Sequence, residues 1–111
     1  VYSQAVESGN TLYISGQIPL IPDSMEIVSE NIEEQIEQVF DNLTAICVEA
    51  GAKLDDTIKF NVYLTDLAHF PKVNTAMEQR LAAPYPARAV VEVSALPKGV
   101  QVEVDAIVDL S

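Results

Sequence analysis

Several kinds of chemistry find little to work with in this chain of 111 residues. There is one cysteine, Cys47, and one histidine, His69. A single thiol allows no internal disulfide, and one thiol with one imidazole cannot build a zinc site rich in those ligands. Carboxylates are plentiful, but they follow neither the EF-hand spacing nor a clustered Asp motif, so no metal is expected. Basic residues are scarce, six Lys and Arg against seventeen Asp and Glu, for a net charge of −11. Such a surface repels phosphate backbones and sets nucleic acid aside as a main partner. No apolar run approaches the roughly 20 residues of a membrane-spanning helix. The first residues, VYSQAVESGN, lack the basic and apolar blocks of a signal peptide. The expectation is a cytoplasmic protein with no membrane partner. It begins at Val1 without an initiator methionine, which leaves room for residues ahead of it.

What the chain does contain suits one globular domain over residues 1–111, with 49% hydrophobic and 21% charged residues. Tyr2 to Val6 and Thr11 to Gln17 read as two short strands joined by the turn residues Ser8-Gly9-Asn10. Gly16, inside the second strand, marks either a bulge or a place where a ligand or another backbone comes close. Pro19 and Pro22 end that strand. A helix follows from Asn31, which with Glu34 fits a capping box. Ile32, Ile36, Val39, Phe40, Leu43, Ile46, Cys47 and Ala50 then fall on one helical face, and Gly51 closes the helix. On that stripe, Cys47 reads as a small core residue. Glu30, Glu33, Glu34 and Glu37 read as a solvated acidic start favoured by the helix dipole.

Thr57 to Thr65 alternates cleanly, with Ile58, Phe60, Val62 and Leu64 on one side and Lys59, Asn61, Tyr63 and Thr65 on the other. Asp66 is a plausible cap for a second helix through Phe70, Val73, Asn74, Met77 and Leu81, with Pro71 in its first turn. Ala82 to Ala87 is a proline-bearing connector. The element order is β-β-α-β-α-β-β, an α+β domain with both helices on one face of a mixed sheet. The other face, partly apolar with Tyr63 and Ile107, predicts association.

The stretch Pro86 to Val108, PARAVVEVSALPKGVQVEVDAIV, organises the rest. It delivers Arg88 to the start of an apolar strand, turns at Leu96-Pro97-Lys98-Gly99, and returns as Val100, Val102, Val104, Ala106 and Val108 alternating with Gln101, Glu103 and Asp105. Arg88 has the donors to grip a carboxylate bidentately, and Glu103 the chemistry to move a proton. The plainer alternative is that both are solvated sheet residues. In a simple hairpin through Pro97-Lys98, Glu103 would fall opposite Glu92, a roughly 13 Å offset from Arg88. Either the strands do not pair in that register, or a site draws on neighbouring subunits.

PAR before a β-rich run, LPKG and VEVDAI resemble the C-terminal signature of the Rid (YjgF/YER057c/UK114) family. YSQA at 2–5, ISGQIP at 14–19, EEQIEQVFDNL at 33–43 and FNVYLTDLAHFPKVN at 60–74 follow in that family's order. The resemblance implies a chorismate-mutase-like fold and homotrimers with clefts between subunits. It also implies hydrolysis of 2-imino acids, such as 2-iminobutanoate and 2-iminopropanoate, to 2-keto acids and ammonia without a cofactor. Carried onto matching positions, Arg88 would hold the substrate carboxylate and Glu103 would activate water. Tyr2, Ser15, Gly16, Gln17 and Asn74 would line the cleft, with the Val90 backbone beside them. Val90 stands where well-known bacterial members have cysteine. Some members are described as L-PSP endoribonucleases, an activity the acidic charge argues against here. The rival reading is a non-catalytic protein, either a regulator that binds small carboxylates in the same cleft or one with chaperone-like activity.

Overall fold

A computed structural model describes residues 1–111. Its central strand is the alternating one. β5 (Val102–Asp109) buries Val102, Val104, Ala106 and Val108 on one face and leaves Glu103, Asp105 and Ile107 half-buried on the other. On one side β5 pairs antiparallel with β2 (Thr11–Gln17), whose hairpin partner β1 (Ala5–Ser8) forms an edge. On the other it pairs antiparallel with β3 (Thr57–Leu64), which pairs in parallel with β4 (Ala87–Glu92). The sheet order is therefore β1-β2-β5-β3-β4.

Two helices make the crossovers this order requires. α1 (Ile32–Glu49) joins β2 to β3, and α2 (Phe70–Arg80) joins β3 to β4. Both pack on the sheet face that carries Phe60, Val62, Leu64, Val102 and Val104, and Phe40 meets Phe60 edge-to-face at 5.8 Å. The expected α+β architecture, with both helices on one face of a mixed sheet, is borne out. No helix is long and apolar enough to cross a membrane.

Local signals set most of the boundaries. Asn31 Oδ1 accepts the Glu34 N–H at 3.0 Å. The reciprocal half of the capping box runs through Ser29, whose hydroxyl donates to Glu34 Oε1 at 2.6 Å and accepts the Asn31 N–H at 3.1 Å. Gly51 follows α1 at φ +83°, a conformation that favours glycine. Gln35 is buried on the apolar face because its amide has work there. It donates to the Ser29 carbonyl at 2.8 Å and accepts the Gln101 N–H at 2.9 Å, tying the helix start to the entry of β5.

Several boundaries shift from the sequence expectation. β1 begins at Ala5, not Tyr2, and extends to Ser8, so the turn is Gly9-Asn10 alone. Asp66 caps a single 3-10 turn, Leu67–His69, ahead of α2, and Leu81 lies past the helix end. The larger correction concerns the hairpin. β4 and β5 do not pair at all, because β3 lies between them and binds both. Of the two alternatives left open by the sequence, the unpaired strands are the one observed.

Leu43 has no exposed surface at the helix–sheet boundary. Leu43→Ala is expected to cost about 2–5 kcal/mol in urea unfolding, and Asn31→Ala, which removes only the cap, about 1 kcal/mol. Near-zero loss for Leu43→Ala would contradict this packing.

Candidate functional site

Arg88 sits on the edge strand β4, directly across from Phe60 and therefore on the helix side of the sheet. α2 supplies its neighbours. Arg88 Nη1 donates to Asn74 Oδ1 and lies 3.5 Å from the Met77 sulfur, and the guanidinium stacks over the Phe70 ring at 4.9 Å. These contacts fix the head group but neutralise none of its charge. Beside it opens a cleft of about 390 Å³, with Phe60, Met77 and Leu81 as apolar walls and Tyr85, Asn74 and Glu78 at its margins. One positive fork above an apolar floor suits a small carboxylate with a short aliphatic body.

Glu103 belongs to the opposite face of the sheet. It stands across from Tyr63, and its side chain lies over Gly16. The β2–β5 register shifts between Ile14 and Gln17, so Gly16 is a bulge. It is also a point of close approach, since a Cβ there would meet Glu103 Cδ at 2.8 Å and Cγ at 3.2 Å. The group that approaches is Glu103 itself. Around it lies a second cleft of about 810 Å³, shared by Tyr2, Gln4, Gly16, Gln17 and Glu103, with Asn42 and Glu49 of α1 on its far wall. Ser15 Oγ donates to the Ser3 carbonyl at 2.6 Å and anchors the N-terminal segment beside β2, while Gln17 Nε2 donates to the Ser15 carbonyl at 3.0 Å. Burial, and then the nearby Asp105 charge, push the Glu103 carboxyl above its ordinary value.

The anticipated site residues thus divide into two groups. Arg88 and Asn74 share one cleft; Tyr2, Gly16, Gln17 and Glu103 share the other. Val90 lines neither and packs at the margin of the core. From the register, Arg88 and Glu103 are three residues apart along the strands and two strands apart across them, roughly 14 Å between backbones, with side chains on opposite faces. One copy of the chain cannot apply both to one small molecule.

Other residues escaped the sequence reading. Tyr63 was read only as part of the partly apolar open face; its hydroxyl donates to Asp105 Oδ2 at 3.2 Å, and Asn61 Nδ2 donates to Asp105 Oδ1 at 2.8 Å. Tyr85, in the connector before β4, is exposed beside the Arg88 cleft. The period-two pattern of β3 and β5 put Asn61, Tyr63, Glu103 and Asp105 on polar faces, but only the pairing of the strands reveals that they share one. Cys47 is fully buried as expected, its thiol pushed up to about 11 by burial and by Asp56, which leaves no thiolate for nucleophilic work.

Compared with known proteins, the chain matches the family model described as Endoribonuclease L-PSP over residues 1–110. It belongs to this family, the Rid proteins. Among solved Rid structures, it superimposes on RidA from an Antarctic Psychrobacter with a TM-score of 0.94 and 53% identity, covering 97% of this chain and 87% of that one. A RutC family protein of Pyrococcus abyssi is 47% identical, with 96% of this chain and 84% of that protein covered. At 40% identity and the same coverages stands a protein of Dermatophagoides farinae named 2-iminobutanoate/2-iminopropanoate deaminase. The Rid resemblance read from the sequence blocks is borne out, and with it the fold.

The position of Glu103 has a thermodynamic consequence. A carboxyl whose folded pKa lies above its unfolded value favours folding when protonated, and that contribution is lost as pH rises through the folded pKa. Glu103→Gln, neutral at every pH, is therefore expected to raise the melting temperature at pH 7 relative to wild type, with the gap closing below the ordinary value of 4.5. Thermal scans across pH 4 to 8 would show it, and a variant less stable than wild type at pH 7 would contradict it.

Proposed function

We propose that this Rid protein is a cytoplasmic hydrolase of reactive 2-imino acids, 2-iminobutanoate and 2-iminopropanoate among them. In this reading it works as a homotrimer with its clefts between subunits. The observation that carries the reading is the separation of Arg88 from Glu103. Each cleft holds half of what imine hydrolysis needs, a carboxylate clamp or a base, and the halves face away from each other within one chain. A closed symmetric assembly is the simplest way to join them, Arg88 of one copy meeting Glu103 of the next. Val6, Tyr13 and Val91, exposed on the open sheet face, offer apolar surface for such contact. The name of the Dermatophagoides farinae relative supports the substrate class.

The chemistry then follows from the residues. Arg88 binds the substrate carboxylate through its free donors and fixes the plane of the C=N bond. Glu103, ionised, takes a proton from water as the oxygen bonds to C2 of the iminium and the π electrons move to nitrogen. It returns that proton to the nitrogen, the C–N bond breaks, ammonia leaves, and Glu103 takes the hydroxyl proton as the ketone forms. A protonated imine is already a good electrophile, so a carboxylate is a sufficient base. Tyr2, Gln17 and the Gly16 backbone line the Glu103 side, Ser15 anchors the N-terminal segment beside them, and Asn74 holds Arg88. The nuclease in the family model's description is not part of this reading. A net charge of −11, with no Lys or Arg in the Glu103 cleft, gives an RNA backbone nothing to hold.

The test generates the imino acid in place with an amino-acid oxidase and follows keto-acid release. Arg88→Ala is expected to lose about 10–100-fold in kcat/KM, the worth of a charge-assisted bidentate contact. Glu103→Gln should lose about 10²–10⁴-fold, the usual contribution of a general base. Each variant alone is then impaired about tenfold or more, yet refolding the two together should restore about a quarter of wild-type sites in a randomly mixed ring. Activity should rise with pH along a carboxylate limb whose midpoint lies above 4.5, since Glu103 works ionised and its pKa is raised. A wild-type chain that binds keto acids without accelerating hydrolysis would move the reading to a carboxylate-binding regulator.

A further inference from the structure

Of the polar cluster on the open sheet face, the reaction above uses only Glu103, and the cluster's donors go instead to Asp105. Tyr63 stands directly across from Glu103 in the β3–β5 register, and Asn61 directly across from Asp105. The Tyr63 hydroxyl is therefore the side-chain donor on the strand position facing Glu103. It is turned diagonally instead, to Asp105 Oδ2 at 3.2 Å, while Asn61 occupies Oδ1 at 2.8 Å. Glu103 makes no ion pair and accepts no side-chain hydrogen bond, although it is half-buried.

We propose that Asp105 is a positioning residue for Glu103: it draws off the Tyr63 hydroxyl and the Asn61 amide, so that the carboxylate over Gly16 stays free to take a proton. The use of Glu103 as base rests on the imine-hydrolysis reading; the arrangement of donors does not.

Two effects act together. A carboxylate that accepts a strong hydrogen bond is a weaker base, and Asp105 removes the available donor. Asp105 also sits two residues along the same strand face, where its charge disfavours a second negative charge on Glu103. Groups from several elements surround Glu103. β2 offers Gly16 and the buried Gln17, whose amide is occupied by the Ser15 carbonyl. The N-terminal segment offers Tyr2 and Gln4, and α1 offers Glu49 and Asn42, the latter donating to the Ile18 and Leu20 carbonyls. β3 offers Tyr63, and Lys59 lies beyond Asn61 at the far end of the face. No cation of the chain lines this cleft. In the assembled site, Arg88 of a neighbouring copy would pull the Glu103 pKa down, and Asp105 is the fixed charge that offsets it.

The experiment compares wild type, Asp105→Ala and Asp105→Asn as full chains. The Glu103 carboxyl is titrated by ¹³C NMR, and the pH profile of imine hydrolysis is measured in parallel. Both variants should lower the Glu103 midpoint, by about half a pH unit or more, since each removes the like charge. The alanine variant should shift it further, because it also frees the Tyr63 hydroxyl, and the acidic limb of kcat/KM should move down by the same amount. The plateau rate should fall about threefold or more in Asp105→Ala, and adding Tyr63→Phe, which deletes the released donor, should recover most of it. A Glu103 midpoint unmoved in both variants overturns the proposal. So does a lower plateau with an unmoved limb and no recovery in the double variant, the pattern of a merely structural role. If wild type does not hydrolyse imines, the functional reading fails by itself, and the carboxyl titration still decides the role of Asp105.

Discussion

Everything here depends on the strict alternation of β5 at the centre of the sheet. Val102, Val104, Ala106 and Val108 are held against α1 and the core, and a slip of one residue would expose all four while burying Glu103 and Asp105. The register is therefore pinned by apolar burial, and the polar residues are placed as a consequence. β4 is pinned in turn through β3, whose Phe60 and Val62 share the core face with Arg88 and Val90. Hydrophobic packing, not attraction between the charges, fixes where the charges go, and it sends them to opposite faces.

The scarcity of cations gives this placement its electrostatic meaning. Arg80 is committed to Glu37 at 2.6 Å and Asp41 at 2.8 Å, and its guanidinium stands 5.9 Å above the Phe40 ring, where it staples α2 to α1. Lys72 reaches Glu33 at 3.6 Å. Arg88 touches only an amide oxygen, a thioether and an aromatic ring. In a chain with seventeen acidic residues, Arg88 forms no ion pair, so its guanidinium charge is left to an incoming anion even with Glu78 at the cleft margin.

How much of this was legible in the sequence follows the range of each interaction. The stripe from Ile32 to Cys47, the Asn31 cap and the Gly51 stop are local signals, and the helix forms as they read. Alternation in β3 and β5 was equally plain. Strand order was not, because the turn at Pro97–Gly99, with Lys98 at φ +58°, looks the same whether the chain folds back as a hairpin or steps across β3. Gly16 announced a close approach without naming the visitor, which comes from 87 positions later in the chain. The bonds from Asn61 and Tyr63 to Asp105 span more than 40 residues and exist only once the strands pair. Composition and periodicity locate faces; only topology says which faces meet.

The sealing of Cys47 reaches beyond packing. With no exposed surface and a thiol held at about 11, Cys47 is closed to peroxide, to disulfide exchange and to carbon electrophiles. The polar chemistry of both clefts is carried by oxygen and nitrogen, neither of which climbs the thiol oxidation ladder. Oxidants that act through an exposed thiol therefore find none on this fold.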